Sequence, residues 1–400
     1  MSTPLPVAAD ADERPASLTD TWTGRRRLLT ALTCGIPDRV PINTYEMPGR
    51  NEADWYSQQP SYAALMKYIR DNTDAITNWN ARINGDETPG TEGLFESAHR
   101  MPIETQEERH GTRTRVTQIA HMPKGDLRQV YEHDPSVYTT WNIEHWCKSM
   151  ADVDIALSGP YEPYTYSATD LTARQEELGE HGLIMSSLSD PAFMAAHLMG
   201  FQDYTMWLYE DTEHFARCVD ILAERVLQNL SNQLDAAVVD LYRICGPEYM
   251  TPPYARPAMF ERFMVPHVRA MTERIHERGG YVRLHCHGRI ASVLDMFFET
   301  GCDGTDPCEP PPDGDLELYV AKRRCLENKV SVWGNMELKV LEQGAPQQVR
   351  DTVRDMMDQA KEGGGFVLLP TAAPINVPLS PQTEANYMTM IDTALELGVY

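Results

Sequence analysis

The chain has 400 residues, 42% of them hydrophobic, and a formal net charge of −24. That charge disfavours nucleic acid as a partner, because holding phosphates needs clustered Lys and Arg. No apolar run approaches the roughly 20 residues of a membrane-spanning helix, so no membrane association is expected. Eight cysteines are scattered along the chain with no CxxC pair among them. With no basic and apolar leader in front of them, they are expected to be reduced thiols in a cytoplasmic protein.

In chain order, residues 1–23 are rich in Ala, Pro, Asp and Thr and read as a mobile tail, leaving 24–400 as one domain. Length alone also permits two domains. Short apolar runs that read as strands fall at 40–46, 74–80, 182–187, 237–244, 281–287, 304–308, 330–334 and 366–370. Amphipathic stretches at 211–236, 257–278, 290–300, 346–362 and 381–397 predict helices, the first with Asp211 as its N-cap. The alternation is that of βα units in an α/β fold. A (β/α)8 TIM barrel takes roughly 250 residues, which leaves an N-terminal extension and an insertion at about 85–160. Inside the insertion, 112–121 and 126–132 alternate in polarity around a turn at 122–125, predicting a β-hairpin between the second and third barrel strands. The Tyr- and Pro-rich stretch 159–167 reads as a loop near the barrel mouth. The Met and aromatic residues of 193–208 read as helix packing.

The sharpest local pattern is Arg283-Leu284-His285-Cys286-His287-Gly288 at a predicted strand end. Residues i and i+2 of a strand share a face, so His285 and His287 both project toward the mouth while Cys286 turns to the helix layer as a buried thiol. Paired imidazoles suit zinc or another borderline divalent ion. They equally suit hydrogen bonding to neighbours or substrate without a metal. The next predicted strand runs into Asp306-Pro307-Cys308-Glu309-Pro310-Pro311-Pro312, whose prolines fix where its side chains point. Glu309 and Cys308 are candidates for a further metal ligand, with Glu309 also a candidate acid or base, and Asp315 a candidate cap of the following helix. Because a barrel assembles its site at strand C-termini, Glu46 after the first strand, Asn80 after the second, Glu248 and Tyr249 after the fourth, Asn335 after the seventh and Thr371 after the eighth complete the ring of candidates.

Several segments together resemble the uroporphyrinogen decarboxylase superfamily. They are Arg27-Leu28-Leu29-Thr30-Ala31-Leu32, Pro37-Asp38-Arg39-Val40-Pro41, the segment 257–266 leading into a helix, the His-x-x-Gly of 285–288, Trp333-Gly334-Asn335, and Asn386 in the last helix. The resemblance runs from about residue 24 to 400 and implies a (β/α)8 barrel. True uroporphyrinogen decarboxylases carry Arg-Gln-Ala-Gly-Arg after the first strand. Here Glu46-Met47-Pro48-Gly49-Arg50 stands in its place, and the grip on a polycarboxylated tetrapyrrole is lost. The other branch holds zinc-dependent methyltransferases that work with a corrinoid protein. Those that activate thiols use His-x-Cys and a later Cys. This chain has His287 at the Cys position and Leu369-Pro370-Thr371-Ala372-Ala373 without a Cys, which implies a harder site suited to an oxygen-bearing methylated substrate.

The leading expectation is a methyltransferase, acting as a demethylase, that passes a methyl group from a small O-methyl compound to a corrinoid on a partner protein. A metal on His285 and His287, completed by Glu309, Cys308 or Glu248, would polarise the leaving oxygen, with Glu46 or Glu248 managing its proton. The alternative is a decarboxylase or other lyase, with Arg50 and Arg289 on the substrate carboxylate and His285 or His287 as proton donor. A non-catalytic corrinoid- or metal-binding accessory protein is a third reading. A homodimer is left open.

Overall fold

The computed structural model describes residues 21–83 and 95–400. Residues 1–20 of the expected tail lie outside the described residues. In chain order the described strands are β1 (Ala75–Asn78), β2 (Arg82–Ile83), β3 (Ile103–His110), β4 (Arg113–Met122), β5 (Gly125–Asp134), β6 (Val137–Glu144), β7 (Tyr166–Ser167), β8 (Gly182–Ser189), β9 (Leu241–Cys245), β10 (Tyr281–His285), β11 (Gly304–Asp306), β12 (Ser331–Met336) and β13 (Phe366–Pro370). Seven of them form one parallel sheet in the order β1-β8-β9-β10-β11-β12-β13, with helices between successive strands. All seven correspond to expected strands.

The remaining expected strand, the first in the chain at 40–46, is not regular. Pro41 has no N–H to give a ladder, and Tyr45 turns the chain at φ 60°. The segment nevertheless bonds at both edges of the sheet. Asn43 N donates to Leu368 O at 2.9 Å and Leu368 N to Pro41 O at 3.0 Å, while Asp74 N donates to Ile42 O at 2.8 Å just before β1.

Alternation along the strands divides the core in two. Ile76, Leu183, Met185, Leu241, Trp333, Val367 and Leu369 lie on the inner face of the curled sheet and pack with Leu28, Ala31 and Leu32 of the helix Gly24–Leu32. That helix is N-capped by Thr23, whose hydroxyl accepts from Arg26 N. It is tied down by Arg27, which meets Asp74 at 2.6 Å and Asp38 at 2.7 Å. The alternate residues, such as Ile184, Tyr242, Val332 and Leu368, pack outward against the helix layer. Thr212–Ala236 has the expected Asp211 cap. The helix expected at 257–278 is broken into Pro257–Phe263 and Val265–His276, because Pro266 has no N–H for the preceding turn.

The insertion between β1 and β8 is larger than a hairpin. The expected pair is present as β4 and β5, closing at Met122 and Gly125, but β3 and β6 flank it in a four-stranded antiparallel sheet. β3 and β6 are mostly exposed, so they lack the apolar alternation that marks a half-buried strand. β6 reaches the loop after β13, where Tyr138 N donates to Ile375 O at 2.9 Å. The Tyr138 ring stacks on Trp55, with centroids 4.5 Å apart and planes 12° from parallel. The stretch 159–167 ends in β7, paired with β2.

Candidate active site

The parallel register places the polar strand residues. Arg283 and His285 share the inner face of β10. Arg243 is the register neighbour of Arg283 on β9, and Asp306 on β11 is that of His285. Asp306 accepts from His285 Nδ1 at 2.9 Å and meets Arg283 Nε at 2.8 Å, the latter an ion pair without hydrogen-bonding alignment. Arg283 also lies over the Trp333 ring. Arg243 donates to the Tyr45 hydroxyl, lies over its ring, and has Glu46 at 3.7 Å. The Tyr45 hydroxyl is 3.4 Å from His285 Nε2.

Burial decides the protonation here. It pushes the His285 pKa down to about 4 against the pull of Asp306, so the ring is neutral near pH 7. With Nδ1–H given to Asp306, Nε2 carries the lone pair. For Asp306, burial favours the neutral acid, but the charge of Arg283 and the hydrogen bond from His285 outweigh it and hold the carboxylate ionised.

His287, two residues further on and just past the end of β10, is half-buried. Its ring lies 4.7 Å from that of His285 at 88°. Its Nδ1 is 3.1 Å from Glu309 Oε1, and Glu309 Oε2 accepts from Gly288 N at 2.8 Å. Burial alone would lower the His287 pKa. The hydrogen bond and charge of Glu309, with the charge of Glu248, outweigh it and raise the pKa. Beside His287 opens a cleft of about 540 Å³, with Glu248, Arg289, Phe201, Tyr249 and Tyr254 among its walls. Glu248 Oε2 is shut from solvent with no partner, and burial raises its pKa. Behind it, Asp190 is fully buried. Its Oδ1 caps the helix Pro191–Met199 through Ala192 N and Phe193 N, its Oδ2 is unpartnered, and burial pushes its pKa up to about 8.

Of the expected residues, Glu248, Tyr249, His287 and Arg289 line this cleft, with His285 and Glu309 behind His287. Glu46 stands across the mouth beside Arg243. Arg50 does not join them: it donates to Arg70 O at 2.9 Å, and its charge acts on His181, at the opposite end of the sheet where β1 and β8 begin. Three more candidates are engaged in structure. Asn335 gives its amide to Cys308 O and accepts from Cys308 N at 2.9 Å. Thr371 accepts from Leu338 N at 3.3 Å. Asn80 accepts from Ser186 Oγ and Ser187 N at 2.7 and 3.1 Å, bracing β8. Asp315 does not cap a helix but accepts from Ala291 N.

The residues that sequence reasoning passed over are Tyr45, Asp190, Phe201, Arg243, Tyr254, Arg283 and Asp306. A usable signal existed for two of them. Arg243 and Arg283 interrupt otherwise apolar strands, and Arg283 shares the two-residue spacing of His285.

The donor set fits a metal at two positions. Each imidazole has Nδ1 backed by a carboxylate, the arrangement that orients a ligating histidine; this leaves His287 Nε2 for an ion, while His285 Nε2 faces the Tyr45 hydroxyl at 3.4 Å, which an ion would have to displace. Glu309 is spent on His287 and Gly288. Cys308 is wholly buried, and burial keeps its thiol protonated. Among the described residues no three His, Cys, Asp or Glu side chains are disposed to hold an ion. All eight cysteines are free, and among the described residues no helix is long and apolar enough to cross a membrane.

A parallel α/β sheet whose strand ends gather imidazoles, carboxylates and guanidiniums beside a cleft has the layout of an enzyme. The profile of the uroporphyrinogen decarboxylase (URO-D) family matches residues 136–392, well over half of the chain, and the protein belongs to that family. A methyltransferase from Methanosarcina mazei is similar in fold, with a TM-score of 0.58 and 14% identity over 94% of this chain and 99% of that one. A muconate lactonizing enzyme from Pseudomonas putida aligns at a TM-score of 0.27 and 11% identity over 75% and 78%, which carries no argument. No curated protein matches by sequence.

Proposed function

We propose that the protein is a methyltransferase that takes a methyl group from a small methylated substrate in the cleft and passes it to a corrinoid on a partner protein. The observation that carries the reading is the pair of carboxylate-backed imidazoles at the end of β10, His287 lining the cleft and His285 behind it. Membership of the URO-D family and the fold likeness to a methyltransferase support it. The reading takes the fold as a complete (β/α)8 barrel, with residues 40–43 standing in for the eighth strand.

In this reading the aromatic and proline walls of the cleft exclude water from the substrate, and Arg289 holds an acidic end. The buried Arg283–Asp306 pair fixes the His285 ring and its tautomer. Glu309 accepts the His287 Nδ1–H and fixes that ring and its tautomer. His285 and His287 would hold a divalent ion, zinc by donor type, which would polarise the leaving atom when bound. A low-valent corrinoid supplies the nucleophile.

A second reading, a lyase acting on a small carboxylic acid, is favoured by one observation: the raised pKa of His287 beside Glu309 suits a proton donor. One assay separates the two. The protein is mixed with reduced corrinoid and a panel of methylated substrates, and the methylcobalamin spectrum is followed together with the demethylated product. Carbon dioxide released from a carboxylic acid with no corrinoid present would decide for the lyase.

A further inference from the structure

The rings lining the cleft are set at right angles to one another. Phe201, at the start of the helix Phe201–Glu210, stands at 89° to Tyr254, with centroids 4.6 Å apart, and at 73° to Tyr249, 5.5 Å away. Phe201 and Tyr254 are 37% and 47% exposed, so both rings offer surface to an occupant. A flat aromatic substrate is best held between two parallel faces. The stacked pair at this place, Phe201 and Tyr204, does not bracket open space, because Tyr204 is fully buried. Perpendicular rings form the corner of a box, which suits a compact, rounded cation attracted to ring faces.

The polar groups agree with that occupant. Glu248 lies on the cleft wall next to Tyr249. The one arginine in the lining, Arg289, is exposed and makes no ion pair with any described residue. Asp313, a further acid in the lining, is paired with Lys339, and His287 completes the titratable groups of the wall. An acid beside a ring corner and a free guanidinium at the lip describe a ligand with a positive head and a negative tail.

We propose that the cleft binds a methylated onium cation, a quaternary ammonium or tertiary sulfonium, bearing a carboxylate on a short arm. The head sits against Phe201, Tyr249 and Tyr254 beside Glu248, and the carboxylate meets Arg289. The proposal rests on the methyl-transfer reading only for its reaction. There the carbon–nitrogen or carbon–sulfur bond would break with its electron pair going to the heteroatom, which leaves as a neutral amine or sulfide. The low-valent corrinoid's electron pair would form the new bond to carbon. Such a leaving group takes up no proton in that step, unlike an alkoxide.

The test is calorimetric binding to the full chain, without corrinoid. The probes are N,N,N-trimethylglycine, its uncharged-head isostere 3,3-dimethylbutanoate, tetramethylammonium and 4-methoxybenzoate. Trimethylglycine is expected to bind at least about tenfold more tightly than the isostere. Phe201→Leu and Tyr254→Leu should each weaken it about twofold to fivefold. Arg289→Gln should weaken trimethylglycine while leaving tetramethylammonium unchanged, a contrast that a misfolded variant would not give. Equal binding of the isostere, tighter binding of methoxybenzoate, or no binding of either cation overturns the proposal. A protein that binds the cation but transfers no methyl group leaves this site standing and removes the reaction. One that demethylates an ether while ignoring the cation does the reverse.

Discussion

Replacing His285 with Asn tests whether the innermost imidazole is held neutral. The Asn amide reaches about where Nδ1–H was, so Asp306 keeps a donor while the titrating ring is lost. In the folded protein burial brings the His285 pKa down from 6.5 to about 4. Between those values the unfolded chain carries a proton that the folded one lacks. Stability therefore rises with pH across this window and is lost as pH falls from 6.5 toward 4. One proton corresponds to a slope of about 1.4 kcal/mol per pH unit, and the full shift to about 3 kcal/mol. Urea unfolding of wild type and His285→Asn, run in steps from pH 4 to 7.5, should show the wild-type advantage shrinking by about that amount toward pH 4. A constant difference across the range would mean that His285 is not buried neutral. The assignment of Nε2 as an unprotonated acceptor would fall with it.

Four further outcomes follow from the same geometry. Asp306→Asn leaves the buried Arg283 guanidinium without its counter-charge and should cost about 3–5 kcal/mol in chemical denaturation. Glu309→Gln removes the main cause of the raised His287 pKa. The pH–rate limb belonging to that ring should move to lower pH, and His287→Gln should lower kcat/KM by about 10²-fold. Asp190, with its carboxyl pKa raised to about 8 by burial, holds in the folded state a proton that the unfolded chain releases near pH 4. Its contribution is therefore present at acid pH and lost as pH rises toward 8. Asp190→Asn retains the helix cap and should abolish that alkaline loss in thermal melts compared at pH 5 and 8.5.

The elements most legible in the sequence were those buried on both faces. The strands of the parallel sheet are short continuous apolar runs, and each was visible because burial on two sides leaves little room for polar residues. β3 and β6 were not, since an exposed strand needs no apolar side and carries no pattern. The segment 40–46 kept the composition of a strand while Pro41 and Tyr45 denied it the ladder. The site divides the same way. His285, His287 and Glu309 announced themselves as polar residues at strand ends.

What the sequence determined by itself is the local chemistry: that Arg283 and His285 share one face of β10 and Cys286 the other, because the two-residue period of a strand allows nothing else. Only the tertiary structure decided which of those groups meet. Asp306 pairs with His285 and Arg283 because β11 stands in register beside β10, whereas Arg50, Asn80, Asn335 and Thr371 are drawn off to backbone and side-chain partners that lie 20 or more residues away along the chain. The aromatic corner is assembled from Phe201, Tyr249 and Tyr254, which are separated in sequence and share no motif. Their angles come from how the helix Phe201–Glu210 packs against the loop after β9, and packing of that kind is a property of surfaces in contact rather than of any one stretch of chain.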